Sequence, residues 1–85
     1  MIDLERYVEV YSNATDELLD SYPITLPDSE AIPYINPVND DEYAIYVYVL
    51  NESQVISLVG EEIVKKYQGH DIEYQAACYA SYESE

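Results

Sequence analysis

Basic residues are almost missing from this chain. Arg6, Lys65 and Lys66 face 18 Asp and Glu, a formal net charge of −15 over 85 residues. That shortage excludes a nucleic-acid-binding surface, because displacing the counterions of a phosphate backbone requires clustered Lys and Arg. It also disfavours an anionic membrane surface. Cys78 is the only cysteine, so no intramolecular disulfide can form. With His70 as the one histidine, a closed zinc shell cannot be assembled either. The two glycines, Gly60 and Gly69, are isolated and make no phosphate-cradling loop. The longest apolar run, residues 43–50, is far too short to span a bilayer. The opening MIDLERYVEV has no basic segment followed by an apolar run, so no signal peptide is expected and the expected compartment is the cytoplasm.

What is present is acid and tyrosine. Solubility is served by a net charge of roughly 2–8 in a small domain, and this chain goes well past it at the cost of self-repulsion. Such a field attracts a basic protein and speeds association with it. The chain has 11 Tyr but no Trp or Phe. Tyrosine combines contact area with a hydroxyl that remains satisfied when half wet, which suits an interface and equally an exposed sheet face.

The pattern predicts one domain over residues 1–85. In residues 4–11, Leu4, Val8 and Val10 share one face while Glu5, Tyr7, Glu9 and Tyr11 share the other, as in a half-buried strand. Ser12 to Asp16 reads as a turn, and a second strand over about 17–22 completes a hairpin. All four prolines fall in residues 23–42, which are expected to be ordered loop with one helical turn near 28–32 that Pro33 stops. Residues 43–50 predict a strand with Ile45, Val47 and Val49 on one face and Tyr46 and Tyr48 on the other. Asn51 and Gln54 suit a capping box, Leu50 a staple onto Val55, and Val55, Ile56, Val59 and Ile63 a core stripe on one helix that ends before Gly69. A last strand over 72–82, rich in small residues, is expected at the centre of the sheet. The fold class is therefore α+β: a mostly antiparallel sheet of about four strands, in the order β-β-loop-β-α-β, with one main helix packed on one face.

Catalytic chemistry finds little support. Cys78 with His70 and Asp71 could compose a nucleophilic site, but a cysteine alternating among alanines is expected to be buried and inert, and nearby carboxylates raise its pKa. No spacing singles out an acid–base pair of carboxylates. Asn36, Asn39, Asp40, Asp41 and Glu42 offer oxygen ligands, but not at EF-hand spacing. No enzyme activity, metal or cofactor is therefore expected. The expected partner-binding residues are Asp28, Glu30, Asp40, Asp41 and Glu42, with Tyr34, Tyr43, Tyr46 and Tyr48 as anchors. A second acidic set, Glu5, Glu9 and Glu73, is expected on the open sheet face.

The layout resembles a family of small bacterial immunity proteins that includes those of contact-dependent growth inhibition systems. The resemblance lies in the Arg6-Tyr7-Val8-Glu9-Val10-Tyr11 strand and in Thr15-Asp16-Glu17-Leu18. It continues in Asp40-Asp41 before a tyrosine-rich strand, the Glu52-Ser53-Gln54 helix start and the closing Ala76-Ala77-Cys78-Tyr79-Ala80. It implies a cytoplasmic antitoxin that binds a cognate toxin domain one to one, often a nuclease such as an RNase, and covers its basic active site or an exosite. The alternative expectation is a nucleic-acid mimic that inhibits a host restriction or defence enzyme, against which the scattered distribution of the acids argues.

Overall fold

The N-terminal alternation is realised as β1 (Ile2–Ser12), which pairs antiparallel along its whole length with the last strand, β4 (Ile72–Tyr82). The structure is a computed structural model, and it describes residues 2–82. β2 (Leu18–Pro23) returns along the free side of β1, and β3 (Tyr48–Leu50) lies against β4, so the antiparallel sheet has the order β2-β1-β4-β3. Three short helices, α1 (Asp28–Ile35), α2 (Glu52–Val59) and α3 (Glu61–Lys66), complete the α+β architecture.

Register decides which side chains meet the helices. Val8 lies opposite both Tyr22 and Ala76, and Tyr74 opposite both Val10 and Leu50, so these residues share one sheet face. Against them pack Ala31 and Ile35 of α1, Val55 and Leu58 of α2, and Ile63 of α3. Val8, Val10 and Val55 are completely buried. At about 25 cal/mol per Å² of apolar surface removed from water, this single layer supplies most of the drive to fold. Among the described residues, no helix covers the other sheet face.

The hairpin closes as a Ser/Thr-assisted turn. Ser12 Oγ accepts the Thr15 N–H and Thr15 Oγ1 accepts that of Glu17. The left-handed residue of the turn is Asp16 at φ 60°. A bulge beyond the Val10–Asp20 pair shifts the register.

Three expectations are corrected. Pro33 does not stop α1, which runs on to Ile35 and ends on Asn36 in a left-handed C-cap. Proline removes one ladder donor, but burial of Ala31 and Ile35 in the core outweighs that loss over so short a helix. The strand expected over 43–50 is reduced to Tyr48–Leu50. Tyr48 and Leu50 face the core side and Val49 is 66% exposed. The single helix expected after Asn51 breaks at Gly60, whose φ of 104° no helix contains. The capping box of Asn51 and Gln54 forms as expected. The kink nevertheless redirects the stripe: Leu58 is buried and Ile56 is 44% exposed. Among the described residues no helix is long and apolar enough to cross a membrane.

Candidate functional site

The loop between α1 and β3 is built around two buried charges, and both come from sequence positions with simpler expectations. Arg6 occupies the core face of β1, between Leu4 and Val8, and is 5% exposed. Its guanidinium donates to the backbone carbonyls of Tyr43 and Ala44 and to Asp28 Oδ1, the last at 3.1 Å. A guanidinium presents five donors in a planar fork, so one side chain can tie three segments, β1, the start of α1 and the loop, at a single point. Asp41 is the second. Two successive turns, closed by Asp41 N–H to Val38 O and Ala44 N–H to Asp41 O, fold it inward to 4% exposure.

The Asp41 carboxylate accepts the N–H groups of Ile45 and Tyr46, each at 3.0 Å, and the Tyr48 hydroxyl at 2.6 Å. Burial opposes its ionisation, but the Tyr48 hydroxyl, the two backbone N–H groups and the nearby Arg6 outweigh burial and hold its pKa below the usual carboxylate range. The same bonds account for the missing half of β3. N–H groups that would have extended a ladder point into Asp41, and Ala44 sits at φ 52°.

This internal frame leaves its outer side apolar and uncovered. Val38, Tyr43, Ile45, Tyr46, Val47 and Val49 are each about half exposed or more. Asp40 and Glu42, also exposed, stand on the two turns beside them. The expected contact residues therefore divide. Asp40, Glu42, Tyr43 and Tyr46 are exposed within this one loop. Asp41 and Tyr48 are turned inward, Asp41 buried and Tyr48 half-buried, because they hold the loop together. Asp28 keeps an exposed carboxylate but is tied to Arg6. Glu30 and Tyr34 belong elsewhere, lining a shallow depression with Leu26, Pro33 and Ser57. Arg6 was missed as a structural centre. Its signal was an arginine on the apolar face of an alternating strand, a place where a cation must find partners.

The helix-free sheet face holds a second arrangement. Glu9 lies in the middle of it, yet is only 4% exposed. It accepts the Tyr79 hydroxyl at 2.6 Å on one oxygen and the Tyr11 hydroxyl at 3.1 Å on the other. The Tyr7 ring meets Tyr79 edge to face at 5.8 Å between centroids. The hydrogen bond to Glu9, together with burial and the carboxylate's negative charge, pushes the Tyr79 phenol up to about 12. Burial and the bond to Glu9 raise Tyr11 as well. Glu73 and Gln75 continue the face, joined by a Gln75 Nε2 donation at 2.6 Å. Glu5, Glu9 and Glu73 thus do share the open face, but Glu9 is roofed by tyrosine.

The remaining chemistry-bearing residues do not converge. Cys78 is half-buried opposite Arg6, and burial pushes its thiol up despite the guanidinium. His70 stacks edge-on against Tyr67 on the rim of an open cleft at the other end of the sheet. Among the described residues no three of His, Cys, Asp and Glu come together as a metal site.

Fold and surfaces together define a class: a small α+β domain, a four-stranded antiparallel sheet covered on one side, that presents tyrosine and carboxylate on its exposed surfaces. Residues 5–77 match the domain of unknown function DUF7683, and the chain belongs to that family. No curated protein and no solved structure matches it.

Proposed function

We propose that this protein is a cytoplasmic immunity protein that binds a basic toxin domain, most simply a nuclease, and neutralises it by covering its active site or an adjacent exosite. The observation that carries the reading is the surface of residues 38–49. Large apolar side chains stand uncovered there beside Asp40 and Glu42, on a chain of net charge −15. Uncovered apolar patches on small proteins mark interaction sites, and the surrounding acid selects a cationic partner. Clefts that hold phosphate are cationic, so a nuclease active site is a natural complement to such a surface. Tyr43 and Tyr46 are the anchors, since large aromatic side chains at the centre of an interface carry most of its energy. The resemblance to immunity proteins supplies the toxin; the charge and the patch supply only the basic partner.

The test is co-expression with a toxin encoded beside this gene. Cells survive and a one-to-one complex elutes as a single species under the proposal, and the double substitution Tyr43→Ala/Tyr46→Ala weakens the complex at least about tenfold. A toxin that kills cells despite abundant folded protein overturns it.

A further inference from the structure

β1 and β4 run on together beyond the rest of the sheet. β2 meets β1 only as far as Tyr7, opposite Pro23, and β3 meets β4 only as far as Ala76, opposite Tyr48. Among the described residues, the pairs from Arg6–Cys78 to Ile2–Tyr82 therefore form a two-stranded arm with no third strand on either side. The direction of its backbone groups follows from three bonds. Asn13 N–H donates to the Asp71 carbonyl, so odd-numbered residues of both strands bond across the β1–β4 ladder. Ser12 N–H goes instead to Glu17 O, and Arg6 O accepts the Ile24 N–H, so even-numbered residues of β1 turn their groups outward. By the same alternation Cys78, Ala80 and Tyr82 turn theirs away from β1, on the side where β3 has stopped. Among the described residues no loop or strand gives them a backbone partner.

The other edges are guarded in the ways that keep sheets from pairing with strangers. β2 is bulged and ends on Pro23, and the chain entering β3 has its Ile45 and Tyr46 N–H groups turned into Asp41. The β1 side of the arm is closed at its base by Ile24. The β4 edge has neither lysine nor proline, and Cys78 and Ala80 are small enough to let another backbone approach. The geometry points to strand addition here: an extended segment of the basic partner pairs with Cys78, Ala80 and Tyr82. Main-chain bonds then give affinity and alternate side chains give specificity. Charge chooses the occupant. Exposed Glu5 lies opposite Tyr79, and the arm's one cation, Arg6, is buried and bonded to Asp28 and the loop carbonyls. A cationic strand is drawn to this field, whereas a second copy of charge −15 is repelled. The edge is also contiguous with the exposed loop, because Tyr48, where β3 begins, is the residue that pairs with Ala76. The proposal rests on the basic-partner reading and adds the mode by which that partner is held.

A short capped peptide alternating lysine and valine, titrated into the isotope-labelled full chain and followed by NMR, is the test. Amide signals of residues 77–82 shift saturably, and exchange of the Cys78 and Ala80 amide protons slows at least about tenfold. The same peptide N-methylated at alternate residues keeps its charge but cannot pair, and it binds at least about tenfold more weakly. Ala80→Pro, whose missing N–H faces outward and costs the sheet no bond, abolishes the response with native circular dichroism. Should that variant fail to fold, the two peptides against the native chain decide by themselves. Equal binding of both peptides, no binding, shifts confined to residues 38–49, or a chain that dimerises through residues 77–82 without peptide overturns the proposal. Co-expression separates the two readings: rescue from the toxin by Ala80→Pro as fully as by the native chain sinks strand addition alone. A toxin that kills despite abundant native chain sinks the basic-partner reading.

Discussion

At the scale of single residues, the exposed face of the sheet is governed by one carboxylate and its hydroxyls. Because the Glu9–Tyr79 bond requires the phenol proton, the folded state binds that proton more tightly than the unfolded chain does. The Tyr79 pKa is raised from 10.0 to about 12, so its contribution to stability is fully present below 10.0 and is lost as the pH rises through about 12. A denaturation midpoint followed over that range falls more steeply for the native sequence than for Tyr79→Phe, which has no proton to lose. Glu9→Gln returns the phenol toward its ordinary value in an ultraviolet titration; an unchanged titration would show that burial alone sets it. Asp41 works in the opposite sense, since its depressed pKa makes the loop it holds firm at neutral pH and weak in acid.

At the scale of elements, Gly60 is where one helix becomes two. At φ 104° it has open space around it, so an added Cβ meets nothing within 4 Å and the cost of a side chain is purely conformational. Gly60→Ala destabilises the protein by about 1–2 kcal/mol in urea denaturation, the strain of a positive φ without a clash. A stabilised Gly60→Ala variant would mean that α2 and α3 can merge without disturbing Leu58 and Ile63. On either side of the kink, Val55 and Leu58 of α2 and Ile63 of α3 are all buried in the one core.

For the whole molecule, a net charge of −15 within so small a volume repels itself, and salt relieves that repulsion. The thermal midpoint therefore rises with sodium chloride, with most of the gain at low to moderate salt where the Debye length shrinks to contact range. A midpoint indifferent to salt would show that local pairs, such as Lys66 with Asp20 at 2.9 Å, balance the field. Under the proposed function, binding to a basic partner responds in the opposite way. Its electrostatic part weakens with salt while the part carried by Tyr43, Tyr46 and the apolar patch persists, so the residual affinity at high salt measures the anchors.

The sequence by itself determined the class and most of the elements. Period-two alternation marks β1 and β4, Ser12 to Asp16 mark the hairpin turn, and Asn51 with Gln54 marks the start of α2, because each is a local rule acting over a few residues. The proposal of a basic partner likewise rests on acid and tyrosine that the sequence already shows. Only the tertiary structure decided where β3 begins, which of its faces looks inward, and which acids are free. Those answers depend on Arg6 reaching residues 43 and 44 from another strand, and on Asp41 drawing in the N–H groups of Ile45 and Tyr46. Nor does local pattern reveal that Glu9 is roofed, since Tyr79, 70 positions away, is brought over it by the pairing of β1 with β4. A carboxylate's role is set by the donors that folding brings to it, and those come from segments distant in the chain.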